Sequence, residues 1–313
     1  MQLYKSRGFG EYFQDTFAFL KQNGKHLFKH FFIINGIFLM ILMAIGYFFS
    51  KFYTETLLGG LISGNNSGLE EYMNQNSGVF VLLVLIFIVV GLISAIVSYS
   101  FVPIYLKLYN KNSSKNFTAT DIIHVYKANI GKIIIFLLCA IIVTIPLIIG
   151  VGLLLFVLAI TIIGIFAMPL VIGAVSLFYQ GTLMEYLDEK RGIWDSFGYS
   201  WKMISSKFWA AIACVGIFYL ISYIAQNVIA LIPYIFGMVN IFTDLETNTT
   251  PEPMAIQKTM TVMMLAIFLL TFLVSSILNV VLQLNQGIVY YSLKEDNENI
   301  NTKSDIDLIG SGE

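Results

Sequence analysis

Residues 132–180 read KIIIFLLCAIIVTIPLIIGVGLLLFVLAITIIGIFAMPLVIGAVSLFYQ. After Lys132 no charged side chain occurs until Glu185. One helix over that stretch would rise about 72 Å at 1.5 Å per residue, more than twice the roughly 30 Å of a bilayer's hydrocarbon core. The run therefore holds two crossings, and Pro146, Gly150, Val151 and Gly152 are where a turn near the headgroups is expected. A soluble core has no use for so long an uncharged segment. These letters place the chain in lipid.

On either side lie further apolar stretches of spanning length. The full set of expected crossings is 31–52, 79–106, 132–150, 153–180, 208–235 and 260–290. Composition agrees: 313 residues are 57% hydrophobic and only 12% charged, with a mean hydropathy of +0.79, against a charged share of roughly a quarter in soluble domains. The formal net charge is -1, which gives no global electrostatic case for nucleic acid. The sparse arginine and abundant Ile and Asn fit an AT-rich bacterial source.

Basic residues are retained on the cytoplasmic side of a membrane, so their placement sets orientation. Sixteen of the 18 lysines and arginines fall in the N-terminal segment, the 107–132 and 190–207 loops and the C-terminal tail; only Lys51 and Lys258 fall on the opposite side. The 53–78 loop there carries Glu55, Glu70 and Glu71. Both termini are thus expected in the cytoplasm. The first apolar run follows a segment containing Lys5, Arg7, Lys21, Lys25 and Lys29 and no small-residue cleavage site follows it, so it is read as a retained helix, not a signal peptide. The external loops, Gly59 to Gly68 and Thr243 to Pro253, read as flexible and solvated, and the sequons at Asn65 and Asn248 carry no weight outside a eukaryotic secretory pathway.

The chain also divides into three similar units, about 9–108, 117–190 and 193–293, each an amphipathic segment followed by two crossings. In the first, Phe13, Thr16, Phe17 and Leu20 match Phe197, Ser200, Trp201 and Ile204 of the third. The second, Ala119 to Asn129, keeps the character with Ile122, Ile123 and Tyr126 on the apolar side. The ends agree too: Gln180-Gly181 precedes Leu187 and Glu189 as Gln286-Gly287 precedes Leu293 and Glu295. Aromatic residues at spacings of three and four beside lysines describe helices lying in the interface, with Phe13, Phe17, Phe197, Trp201 and Trp209 as anchors. Residues 294–313 read as a polar, disordered cytoplasmic tail.

Gly192-Ile193-Trp194-Asp195-Ser196-Phe197-Gly198-Tyr199-Ser200-Trp201-Lys202, followed by Lys207-Phe208-Trp209, resembles the multi-helix membrane domain fused to some bacterial glycerophosphodiester phosphodiesterases and found alone in other bacterial membrane proteins. The resemblance implies about six helices with interfacial segments between pairs, over most of the chain. It implies no active site, because the Glu, Asp and His set of the soluble phosphodiesterase barrel has no counterpart here.

Candidate chemistry is thin. His26 and His30 lie four apart, the minimum for a metal pair, but two ligands are too few, and Lys25 and Lys29 make a cationic interfacial face the better reading. His124 has no evident partner. Glu185, Asp188 and Glu189 beside Lys190 and Arg191 read as a solvated, ion-paired helix end. Cys139 and Cys214 lie in apolar runs and take no role. No phosphate loop, His-Glu-x-x-His pair or nucleophile elbow occurs, and the crossings contain no Asp, Glu, Lys or Arg away from their ends, which disfavours a proton-coupled carrier.

The sixth crossing bears the one intramembrane feature: Ser276, Asn279, Gln283, Gln286 and Tyr290 share a face. An amide in hydrocarbon without a partner is costly, so this stripe should meet protein or water, with Gln180, Gln226 and Asn227 as candidate partners. It is read first as packing and second as the wall of a polar cavity. The expectation is an all-α, polytopic bundle of six transmembrane helices in the bacterial cytoplasmic membrane. It is non-enzymatic and free of cofactor or metal, and it scaffolds, stabilises or regulates a membrane-protein partner within the lipid bilayer. The alternative is a transporter or a lipid- or amphiphile-handling protein using the stripe.

Overall fold

A computed structural model describes residues 1–58, 67–112, 114–247 and 253–301. The external segments expected to be flexible lie largely outside these residues, as do both sequons and residues 302–313. Among the described residues the fold is all-α, with no strand. Seven α-helices follow one another: α1 (Phe9–Phe52), α2 (Ser67–Asn112), α3 (Ala119–Ala159), α4 (Ile162–Leu187), α5 (Ile193–Ser206), α6 (Phe208–Thr247) and α7 (Pro253–Glu298), with a π-helical stretch, Tyr53–Leu58, continuing α1. All but α5 are long and apolar enough to cross a membrane.

Lipid is the solvent these surfaces require. On α3, Ile141, Ile145, Ile148 and Ile149 are each more than 60% exposed, a stretch of apolar surface that in water would mark an interaction site or drive aggregation. Helices suit that solvent because each satisfies its own backbone hydrogen bonds. The protein is therefore an integral membrane protein with six crossings, and an even number returns the chain to its starting side.

The turn between the third and fourth crossings is not at Pro146 and Gly150 to Gly152. α3 runs through all of them to Ala159, and the chain reverses at Ile160 and Thr161. Proline is tolerated inside a membrane helix because neighbours and local adjustment re-satisfy the freed carbonyl. A side-chain cap decides the reversal instead. Thr161 Oγ1 accepts a hydrogen bond from the Gly164 N–H at 2.9 Å, starting α4. Gly164 is needed there, since a Cβ would lie 2.1 Å from the Leu158 carbonyl oxygen.

The three amphipathic segments also differ. The first is the opening of α1 and the second the opening of α3, where Thr118 and Asp121 form a capping box. Only the third is a helix of its own. α5 ends where Lys207 leaves the helical region, at φ -132° and ψ 46°. Without such a break, nothing separates residues 13–23 or 119–129 from the span that follows.

The chain falls into two compact units. The first comprises residues 1–34, 98–221 and 279–313. Its core is aromatic and aliphatic: Tyr12, Phe19, Phe101, Tyr105, Val215, Leu284 and Val289 are fully buried. Within it α4 and α6 cross at glycine, where a Cβ on Gly173 would lie 2.9 Å from the Gly216 nitrogen, the close backbone approach that small residues permit between membrane helices. The second unit comprises residues 35–97 and 222–278. In it Phe49 meets Phe80 and Phe87 edge-on at 5.8 and 5.7 Å, and Gly46 leaves room for the ring of Phe268. The segments 9–108 and 193–293 contribute to both units, whereas 117–190 lies wholly in the first.

Candidate functional site

The polar residues of the first unit converge on α7. Its period sets Gln283, Gln286, Tyr290 and Lys294 at steps of three and four, along one face. All four are buried. Gln283 Nε2 donates to the Ser98 carbonyl at 3.2 Å. Gln286 Nε2 donates to Ser176 Oγ at 2.8 Å, and Tyr219 donates its phenolic proton to the same oxygen at 2.7 Å. Ser176 on α4 thus ties α6 and α7 together.

One turn further on, Tyr290 donates to Glu185 Oε2 at 2.7 Å. The Lys294 ammonium reaches that same oxygen and Asp188 Oδ2, each at 2.7 Å. Neither the Lys294 nor the Glu185 side chain has exposed surface. Arg191 bonds the other oxygen of Glu185 and also Glu298 Oε1, and its guanidinium lies 3.6 Å from the Tyr199 ring centroid. Tyr199 in turn donates to Glu298 Oε1 at 2.7 Å. Burial, together with the Glu298 hydrogen bond, holds the Tyr199 phenol well above its ordinary pKa, so it stays a donor. The result is a closed ion network that pins α4, the α4–α5 turn, α5 and the end of α7.

The acidic group Glu185, Asp188 and Glu189 is therefore not one solvated cluster. Glu185 and Asp188 turn inward onto Lys294, while Glu189, at a φ of 66°, turns away to Lys132 at 2.8 Å. Hydrogen bonding and charge from Lys132 hold the Glu189 carboxyl below its usual range. Residue 294, where the polar tail is expected to start, is still helical: α7 continues to Glu298, and Lys294 and Glu295 are buried.

The rest of the stripe is not part of this network. Ser276 bonds the Phe272 carbonyl of its own helix at 2.8 Å, and Asn279 is exposed. Gln180 is fully buried, but neither its amide nitrogen nor its amide oxygen has a hydrogen-bond partner among the described residues. Asn227 donates to the Tyr223 carbonyl of its own helix, so it partners α6 and not the stripe. Of the proposed anchors, Phe13 and Phe17 stack on Phe218 at 5.0 and 5.7 Å. Phe197 is buried among Phe136, Phe178 and Tyr179. Trp201 and Trp209 are exposed.

His26 does not pair with His30 as a ligand set. Its ring nitrogens meet the Tyr105 hydroxyl at 2.9 Å and the Phe117 carbonyl at 3.1 Å, and the described residues contain no group of three or more metal-ligating side chains.

Sequence reasoning missed several structural polar residues. Asn285 is fully buried and donates to Thr16 Oγ1 at 3.0 Å and towards Cys214 Sγ at 3.4 Å. Arg7, also buried, holds the N-terminal segment by donating to the Leu3 carbonyl at 2.7 Å and Asp15 Oδ2 at 2.7 Å. For Lys294 a signal existed, since it continues the 283, 286, 290 progression; Asn285 and Arg7 belong to no periodic pattern. Compared with protein-family models, with curated proteins and with solved structures, the chain finds no match.

Proposed function

We infer that this is a non-enzymatic protein of the bacterial cytoplasmic membrane, both termini in the cytoplasm, that scaffolds or stabilises another membrane or envelope component. The observation that carries this reading is the use made of the buried polar face of α7. Its amides, phenol and ammonium are engaged by Ser98, Ser176, Glu185 and Asp188 of the same unit, which is what packing requires and leaves little to coordinate a passing solute. The three similar segments, and the resemblance to the membrane domain of glycerophosphodiester phosphodiesterases, support an architectural role. Affinity purification of the full chain from native membranes tests it. A partner of fixed stoichiometry is expected; a monomer that moves solute across liposomes overturns the reading.

A transporter or amphiphile-handling role draws on one observation, the unpartnered buried amide of Gln180 with the free Gln283 Oε1. Such groups normally hold water or a ligand. Substituting Asn279 and Gln283 by Leu separates the readings. Lost transport with an intact fold favours a path, and lost folding alone favours packing.

A further inference from the structure

The chain has three tryptophans, Trp194, Trp201 and Trp209, all within the 194–209 stretch. They are 57%, 58% and 77% exposed. They stand on α5 and the first turn of α6, where α3, α4, α5 and α6 enclose an open groove of about 1010 Å³. Its walls are apolar, with Pro146 and Leu158 from α3, Ala174 from α4, Phe197 and Trp201 from α5 and Ile212 from α6. The lining on α3 extends from Val143 to Leu158. That length is about 22 Å at 1.5 Å per residue, and one leaflet offers roughly 15 Å of hydrocarbon.

A slot of this depth within the membrane-spanning segments is long enough to take an acyl chain and matches one in polarity. Tryptophan settles at headgroup depth, which puts the mouth of the groove at α5. Lys202, next to Trp201, is exposed and forms no ion pair among the described residues. Its neighbours are already committed: Lys207 to Asp296, Lys190 to Glu298 and Arg191 to Glu185 and Glu298. Asp195 lies two turns away along α5, about 10 Å at the helical rise, a separation at which salt screens the attraction. An exposed, uncommitted cation next in sequence to Trp201, which lines the apolar slot, is complementary to a negatively charged lipid headgroup.

We propose that this groove is a binding site for an anionic phospholipid, its acyl chains against α3 and α4 and its phosphate at Lys202. The site is separate from the α7 network and does not rest on the scaffold reading.

Tryptophan emission is a direct probe, because Trp201 and Trp209 line the groove and Trp194, the third, stands two turns before Trp201 on α5. The full chain is reconstituted in phosphatidylcholine vesicles with rising fractions of brominated phosphatidylglycerol or brominated phosphatidylcholine. Half-maximal quenching by brominated phosphatidylglycerol is expected at a mole fraction at least threefold lower, and Lys202→Gln removes that difference while circular dichroism reports unchanged helix content. Anionic lipid gathered by the other lysines would keep its advantage in K202Q. Equal quenching by the two lipids, or a preference that survives K202Q, overturns the proposal.

Discussion

Lys294 has no exposed side-chain surface, and Glu185, Asp188 and Tyr290 surround its amino group. A buried pair of this kind is only weak evidence of stability, yet removing one partner strands the other, at a cost of about 3–5 kcal/mol. Lys294→Met should therefore lower the thermal midpoint in mild detergent sharply. Adding Glu185→Gln should recover part of the loss, although Arg191 then loses a partner of its own. A double-mutant cycle by thermal unfolding reads the coupling, and independent, additive losses would show that the pair is not a unit. Gln286→Leu tests the neighbouring link: the Ser176 hydroxyl keeps Tyr219, so the expected cost is about 1–2 kcal/mol. The spacing of 283, 286, 290 and 294 could be read from the letters. That Lys294 leaves water could not, because only the position of α4 supplies its carboxylates.

Helix boundaries follow local chemistry where a cap is strong and fail where the sequence offers only breakers. Pro146 and the glycines at 150 and 152 were the conspicuous letters, yet the chain turns at Thr161, whose hydroxyl supplies the acceptor that the first N–H groups of α4 need. Glycine matters more where helices cross. A Cβ on Gly216 would lie 2.8 Å from the Leu170 Cα, a backbone contact that no rotamer relieves. Gly216→Ala is accordingly expected to destabilise by about 1–3 kcal/mol as an overpacked site. Gly131→Ala, with nothing within 4 Å of the added methyl, should be neutral or stabilising by a few tenths to about 1 kcal/mol. Chemical denaturation of both variants in the same detergent gives the comparison, and a Gly216→Ala protein as stable as the parent would refute the close crossing.

For the whole molecule the governing choice is of solvent. Six apolar helices expose isoleucine, leucine and phenylalanine over much of their length, and lysines cluster in alternate connections. Reporter fusions after residue 112, in the α4–α5 turn and at either terminus are all expected to report the cytoplasm, and fusions within 59–66 and 248–252 the opposite side. A terminus found outside would reverse the assignment. The number of crossings and this expected orientation were legible in the sequence by itself, because transfer of a 20-residue apolar run into lipid and retention of lysine in water depend on composition and not on neighbours. Tertiary structure alone decided that Glu185 and Lys294 are buried against each other, that Gln286 meets Ser176 and that α3 and α4 leave a groove above α5. Those outcomes depend on which helix faces come together, and a polar group at a helix end carries no local mark of whether its partner will be water or another helix.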